Sequence, residues 1–373
     1  FCTSPVCSPA RASLLTGTIP SQHGVHDWLR DDDEKQSALE YLAGQYSYTK
    51  ALAENGYCCA LSGKWHMGAA GKVQQGFTHW FSHKSGGGPY YGAPMYKDGV
   101  LYREERYVTE AITEDALEFL DTRREQEQPF YLHVAYTAPH APWLNNHPKE
   151  YTDLYKDCPF HSTPNVPPQP WAPNGHKTLA QWNSEPHPGI RFSGATYGPI
   201  PETWQEHRRE SLTGYYAAIT AMDAAVGRLV DRLETEGLLD NTLIIFSGDN
   251  GMSMGHHGIW GKGNGTNPVN MYDSAVKVPG IFSLPGTILQ GVVNHEMVSH
   301  YDFYETILDL AGIAFEKPDN MPGVSFAPLL TGERERVRDS VVVFDEYGPC
   351  RMIRTKEWKL VLRLPDGPNE LYD

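Results

Sequence analysis

Positive charge is scarce in this chain. Lys and Arg number 31 against 46 Asp and Glu, for a formal net charge of −15 over 373 residues. Nothing overall offsets phosphate repulsion, so a general nucleic-acid binder is excluded, and any anionic substrate has to meet a local cluster of cations. Long apolar runs are also absent: none approaches the ~18 residues of a membrane span, and no basic-then-apolar leader opens the chain. Cysteine is sparse. Its six residues are too few for a disulfide scaffold and lack the paired C-x-x-C spacing of a zinc site. No internal repeat is present. With 40% hydrophobic and 21% charged residues the chain is neither disordered nor fibrous, and it is long enough for one large domain or two smaller ones. A large globular enzyme fits these limits.

Helical and strand patterns alternate along the sequence. Residues 47–55 read as a short helix stopped by Gly56, and residues 57–61 as a strand leading into Gly63-Lys64-Trp65-His66. Thr113 is placed to cap a second helix with Ala116, Leu117 and Leu120 at helical spacing. Residues 130–136 form a strand followed by Thr137-Ala138-Pro139-His140. A long helix is expected over 212–236, then a strand at 243–246 running into Ser247-Gly248-Asp249-Asn250-Gly251. Asp302 is expected to cap a helix over 302–311, with Glu305 returning the capping hydrogen bond.

This repetition of helix, strand and polar loop predicts an α/β fold with a mainly parallel central sheet flanked by helices. Ligands in such sheets bind beyond the carboxyl ends of the strands. Strand patterns at 340–344 and 352–364 predict the start of a small antiparallel C-terminal subdomain. The expected organisation is a catalytic unit over 1–332, with an insertion over about 143–206, and a partial C-terminal subdomain over 333–373. The densest motif lies within seven residues of Phe1 and the chain stops in the strand-like 369–373, so it reads as an internal fragment lacking an N-terminal strand and its C-terminal end.

That motif is Cys7-Ser8-Pro9-Ala10-Arg11, followed by Leu15-Thr16-Gly17. Pro9 suits the first turn of a helix, which puts Cys7 just before a helix N-terminus, where free N–H groups and the dipole favour negative charge. Arg11 adds a cation about one turn on. A nucleophile or an anion is stabilised there, whereas a lone cysteine would read as a buried thiol. With Pro and Arg each near 5% of residues, C-x-P-x-R arises by chance about once in 400 cysteines. Asp249 and Asn250 at a strand's carboxyl end are hard oxygen donors that favour calcium or magnesium over zinc, although Gly-Asp-Asn-Gly alone is also an ordinary turn.

Cys7-x-Pro9-x-Arg11 with Leu15-Thr16-Gly17 resembles the signature of the type I sulfatases. The likeness continues in order through Gly63-Lys64-Trp65-His66, Pro139-His140, Ser247-Gly248-Asp249-Asn250-Gly251, Trp260-Gly261-Lys262 and Gly323-Val324-Ser325. The resemblance implies an alkaline phosphatase-like fold and hydrolysis of a sulfate monoester. It implies that Cys7 is converted to formylglycine by a separate maturation enzyme, and that calcium is held by Asp249, Asn250 and the modified Cys7. In the family the hydrated aldehyde attacks sulfur with one hydroxyl and expels sulfate through the other. Lys64 and His66 would hold the formylglycine and the sulfate, and His140 would contact sulfate or transfer a proton. Lys262 would bind sulfate, with help to the leaving oxygen as a further role. With Arg11 these are five basic groups, a focused positive pocket in an acidic protein. His257 is a further candidate for the pocket, and His256 is unassigned.

One departure bears on the metal. The family's other ligands are adjacent aspartates upstream of the signature cysteine, and no acidic residue precedes Cys7 here. Asp31-Asp32-Asp33 follows the helix and reads as a solvated run, so this chain is expected to hold calcium weakly. A sulfated carbohydrate is the favoured substrate, with small aryl sulfates as the fallback. Trp143, Trp171, Trp182 and Trp204 either stack on sugar rings or pack the insertion onto the sheet. A phosphonate or phosphate monoester hydrolase on the same scaffold remains open, as does an inactive relative that binds anionic glycans. Family members acting on glycans imply a periplasmic, secreted or lysosomal location.

Overall fold

The structure, a computed structural model, describes residues 1–30, 34–124, 126–166, 203–266, 268–346, 349–365 and 367–373. Asp31-Asp32-Asp33, Trp171 and Trp182 lie outside the described residues.

The strand β1 (Cys58–Lys64) is a run of small and apolar residues, buried along nearly its whole length. Such a strand needs neighbours on both edges and cover on both faces. It pairs in parallel with β2 (His79–His83) and with β5 (Phe130–Ala135). A hairpin of β3 (Ala93–Lys97) and β4 (Val100–Glu104) extends the sheet antiparallel beyond β2, giving the order β4-β3-β2-β1-β5. The core of the sheet is therefore parallel, as expected. Gly63 permits its closest approach: at φ +116 its missing Cβ would lie 2.1 Å from the carbonyl oxygen of Ala135 on β5.

β6 (Ile244–Ser247) follows the long helix Trp204–Thr235, and the short ribbon of β7 (Ser253–Met254) and β8 (Trp260–Gly261) leads to Lys262. β9 (Gly280–Ser283) pairs antiparallel with β6, and this pair shares no ladder with the five-stranded sheet. A cavity of about 1780 Å³ separates them, lined by β5 on one side and β6 on the other. The chain ends in an antiparallel sheet of β10 (Val341–Asp345), β11 (Cys350–Arg354), β12 (Lys359–Arg363) and β13 (Glu370–Tyr372). The strand expected over 352–364 is thus parts of two strands joined by a turn.

Apolar packing covers both sheet faces. Leu61, Trp65, Leu15, Tyr304 and Leu308 join β1 to the helices Cys7–Thr16 and Phe303–Leu310. Phe81, Ile112, Ala218 and Ala221 join β2 to Val108–Arg123 and the long helix. A third cluster packs Val343, Met352 and Val361 against Val269, Met271 and Cys2.

Two caps differ from expectation. Thr113 lies inside the helix Val108–Arg123 and turns its hydroxyl back to the Thr109 carbonyl at 2.7 Å, because the apolar face already begins at Val108. Asp302 occupies the N-cap position of Phe303–Leu310, but its side chain makes no capping hydrogen bond to that helix. Its carboxylate accepts the N–H groups of Ser299 (2.7 Å) and Val324 (2.9 Å) and pairs with Arg338, while Glu305 pairs with Lys317 at 2.7 Å. Ser47 does cap Tyr48–Glu54, accepting from the Lys50 N–H at 3.2 Å. The long helix starts at Trp204, eight residues before Leu212, capped by Thr203. Among the described residues no helix is long and apolar enough to cross a membrane.

Candidate active site

Cys7 opens the helix Cys7–Thr16 and is buried. Four other segments meet it. At the end of β1, strand alternation sends Trp65 into an aromatic cluster with Phe77 and Trp80. Lys64 and His66 are both buried, and both line the cavity beside Cys7. His66 sits in the left-handed region, φ +59, an uncommon conformation for a side chain this large. After β5 the chain turns through Pro139 and brings His140 to the same wall. After β6 come Asp249 and Asn250, and after β8 comes Lys262. The proposed residues Cys7, Arg11, Lys64, His66, His140, Asp249, Asn250 and Lys262 therefore all line one cavity.

Asp249 is the electrostatic hub. Its Oδ2 accepts from Arg11 Nε at 2.9 Å and from Lys64 Nζ at 3.3 Å, while Arg11 Nη1 donates to the Lys64 carbonyl at 2.8 Å. Burial opposes ionisation of Asp249, but Lys64, Arg11 and Lys262 outweigh it and hold the carboxyl well below its ordinary value. Lys262 Nζ donates to Cys7 Sγ and lies 3.4 Å from Asn250 Oδ1. Burial pushes the Cys7 thiol up, yet Lys262 and Lys64 more than reverse this, so the thiol falls below its ordinary value. His140 is driven the other way. Burial, then Lys262 and Lys64, take it well below its ordinary value and leave it neutral. Its Nδ1–H donates to the Ala141 carbonyl at 2.8 Å, which leaves Nε2 with the lone pair.

The loop carrying Lys262 is fastened to the segment before Cys7. Gly263 N–H donates to the Pro5 carbonyl at 3.3 Å, and a Cβ on Gly263 would come within 2.4 Å of the Pro5 ring. Gly263 is thus required by this close packing, and a Cβ on Gly261 would come within 2.8 Å of the Gly265 Cα.

Several sequence candidates fall elsewhere. His257 does not line the cavity: it stacks on Tyr272 with ring centroids 4.1 Å apart, and His256 is also away from the lining. Trp143 lines the cavity but is buried, donating Nε1–H to the Pro139 carbonyl at 2.9 Å and meeting Tyr215 edge-on. Trp204 is buried against Trp260. Both are packing residues. Sequence reasoning missed Trp28, exposed at the cavity wall, and Gly86 and Gly87, which lie against His66 and His140. The two glycines could have been flagged only as part of the run Ser85-Gly86-Gly87-Gly88, with no chemistry attached.

Calcium takes about six to eight oxygen ligands. Asp249 and Asn250 are donors of the right kind, but Asp249 Oδ2 already receives two cations. No group of three or more His, Cys, Asp or Glu among the described residues is arranged to hold a metal. These residues alone do not make a calcium site.

The Sulfatase family model matches residues 1–313, and the model described as N-sulphoglucosamine sulphohydrolase, C-terminal, matches residues 255–373. The chain is 31% identical over 400 residues to the choline-sulfatase of Rhizobium meliloti, covering 100% of this chain and 72% of that protein. It is 27% identical over 429 residues to the N-acetylglucosamine-6-O-sulfatase of Bacteroides thetaiotaomicron, covering 100% and 73%. A solved structure of a protein in complex with its substrate D-glucosamine-2-N,6-O-disulfate superposes with a TM-score of 0.76 at 24% identity, over 100% of this chain and 82% of that one. The family match and these relatives define a sulfuric ester hydrolase. The chain belongs to the sulfatase family.

Proposed function

We propose that this chain hydrolyses a sulfate monoester carried on a carbohydrate, with position 7 as the nucleophile. The observation that supports this reading most directly is the contact of Lys262 with Cys7 beside an Asp249 clamped by Arg11 and Lys64. Conversion of Cys7 to formylglycine would supply a hydrated aldehyde able to attack sulfur and later release sulfate. Lys262 holds the side chain at position 7 and sets a positive charge beside the reacting group. Lys64, Lys262 and the two histidines face the cavity where sulfate oxygens would lie. Arg11 ties Asp249 to the backbone of β1 and keeps it ionised. Neutral His140 presents Nε2 as a proton acceptor. Asp249 and Asn250 would give two oxygen ligands to the calcium ion that family membership implies. Residues 1–332 would form the catalytic unit and 333–373 part of a C-terminal subdomain, in an exported or lysosomal protein matured by a formylglycine-generating enzyme.

The test is to produce the protein with and without such an enzyme, read the Cys7 peptide by mass spectrometry, and compare 4-nitrophenyl sulfate with 4-nitrophenyl phosphate. Faster sulfate release, present only in the matured protein, is expected. Faster phosphate release would favour the phosphoryl-transfer alternative. An unmodified Cys7 thiol after maturation, with no turnover of either ester, would favour a binding protein.

A further inference from the structure

The pocket floor accounts for a sulfate group but not for the organic part of the ester. The rim next to it is fixed by two hydrogen bonds of Leu29. Its N–H donates to Ser8 Oγ at 3.2 Å, and its carbonyl accepts from His66 Nε2 at 3.0 Å. Ser8 adjoins the nucleophile position and His66 stands in the pocket, so Leu29 anchors the rim backbone next to residue 28 to both. Trp28 is 39% exposed and lines the same cavity as Cys7. Of the described tryptophans, only Trp358, in the C-terminal sheet's turn, is comparably exposed. A large ring left in water beside a charged pocket offers an apolar face that a ligand can cover.

The loop after β2 complements it. A Cβ on Gly86 would lie 2.1 Å from the His66 ring, and one on Gly87 would lie 2.4 Å from the His140 ring. Neither position has room for a side chain, so this stretch of the cavity wall is bare backbone. The charge nearby selects among ligands. Arg11 and Lys64 share the Asp249 carboxylate and Lys262 adds a third positive charge nearby, which disfavours a cationic organic group, whereas a neutral polar ring meets no such penalty. Asp27, whose carboxylate accepts the Trp28 N–H, sets an acidic group next to Trp28 and makes the cationic case worth testing.

We infer that Trp28 is the specificity-determining residue for the organic part of the substrate: its indole stacks on the pyranose ring of a sulfated sugar, beside the bare Gly86–Gly87 backbone. The inference rests on the carbohydrate sulfatase reading above.

The test uses the full chain in a Cys7→Ala background, which blocks turnover, and measures binding by calorimetry with inorganic sulfate, N-acetylglucosamine 6-sulfate and choline sulfate. Adding Trp28→Ala should leave inorganic sulfate unaffected and weaken N-acetylglucosamine 6-sulfate roughly 5- to 10-fold, the scale of one aromatic contact, with Trp28→Phe recovering part of the loss. Equal weakening of sulfate and sugar sulfate would make Trp28 a structural residue and overturn the inference. So would no weakening of either, or a greater loss for choline sulfate than for the sugar. If the chain with Trp28 intact binds none of the three, the sulfate-pocket reading itself fails, and the rim assignment falls with it.

Discussion

The floor of this pocket and its rim are built on opposite terms. On the floor, each charge is buried and answered within a few ångströms: Asp249 by Arg11 and Lys64, and Lys262 by Cys7. On the rim, the Trp28 side chain is partly exposed, and its neighbour Leu29 is held by Ser8 and His66. Buried ionic groups are costly to leave without partners, so the floor tolerates little variation. An exposed ring adds little to folding, so the rim can change with the substrate. Chemistry held in common and substrate choice can thus be separated by side chains adjacent in space.

The sharpest break between the two regions is expected in turnover. Lys262→Ala should lower kcat on the order of 100-fold or more on any sulfate ester, the usual scale for losing a group that stabilises developing charge. A small or substrate-dependent loss would move Lys262 from floor to rim. Next comes stability. Asp249→Ala strands Arg11, Lys64 and Lys262 without their shared carboxylate and should cost about 3–5 kcal/mol in chemical denaturation. Trp143→Ala should cost about 3 kcal/mol through its buried contacts, while Trp28→Ala stays within about 0.5 kcal/mol. Comparable losses for the two tryptophans would erase the distinction.

Acid sharpens the contrast further. Burial lowers His83 to about 4, and His133 and His300 to about 3. Below pH 6.5 the unfolded chain binds protons at these sites that the folded chain refuses. Their contribution is therefore complete above pH 6.5 and is lost as pH falls toward the folded values. Each should cost up to about 1.4 kcal/mol per pH unit in that window. A flat stability profile between pH 6.5 and 4 would count against this. The smallest effect is expected from calcium, which should barely raise the melting temperature of this chain; a large rise would mean that its ligand set is complete.

The floor was legible in the sequence because its chemistry depends on residue types at fixed places after strands: Lys64 and His66 after β1, His140 after β5, Asp249 after β6. Apolar runs marked those strands, and motif spacing marked the loops. The rim was not legible, because one exposed tryptophan looks like any other in a sequence. The tryptophans that drew attention, Trp143 and Trp204, sit beside partners distant in sequence that bury them: Tyr215 and Trp260. Thr113 and Asp302 failed as caps for a related reason. Helix starts here follow tertiary packing, and Asp302 serves Val324 and Arg338 across the fold. The edge between β5 and β6 also escaped prediction, since alternation of helix and strand reveals how many strands there are but not which ones share a ladder.

That edge gives Asp249 a mechanical meaning. Among the described residues no ladder joins β6 to the five-stranded sheet, yet Lys64 sits at the end of β1 and Asp249 just beyond β6, so their bridge works as a clasp across the seam. Unfastening it would let the two flanks breathe independently, and amide exchange in β6 would quicken well before the molecule came apart.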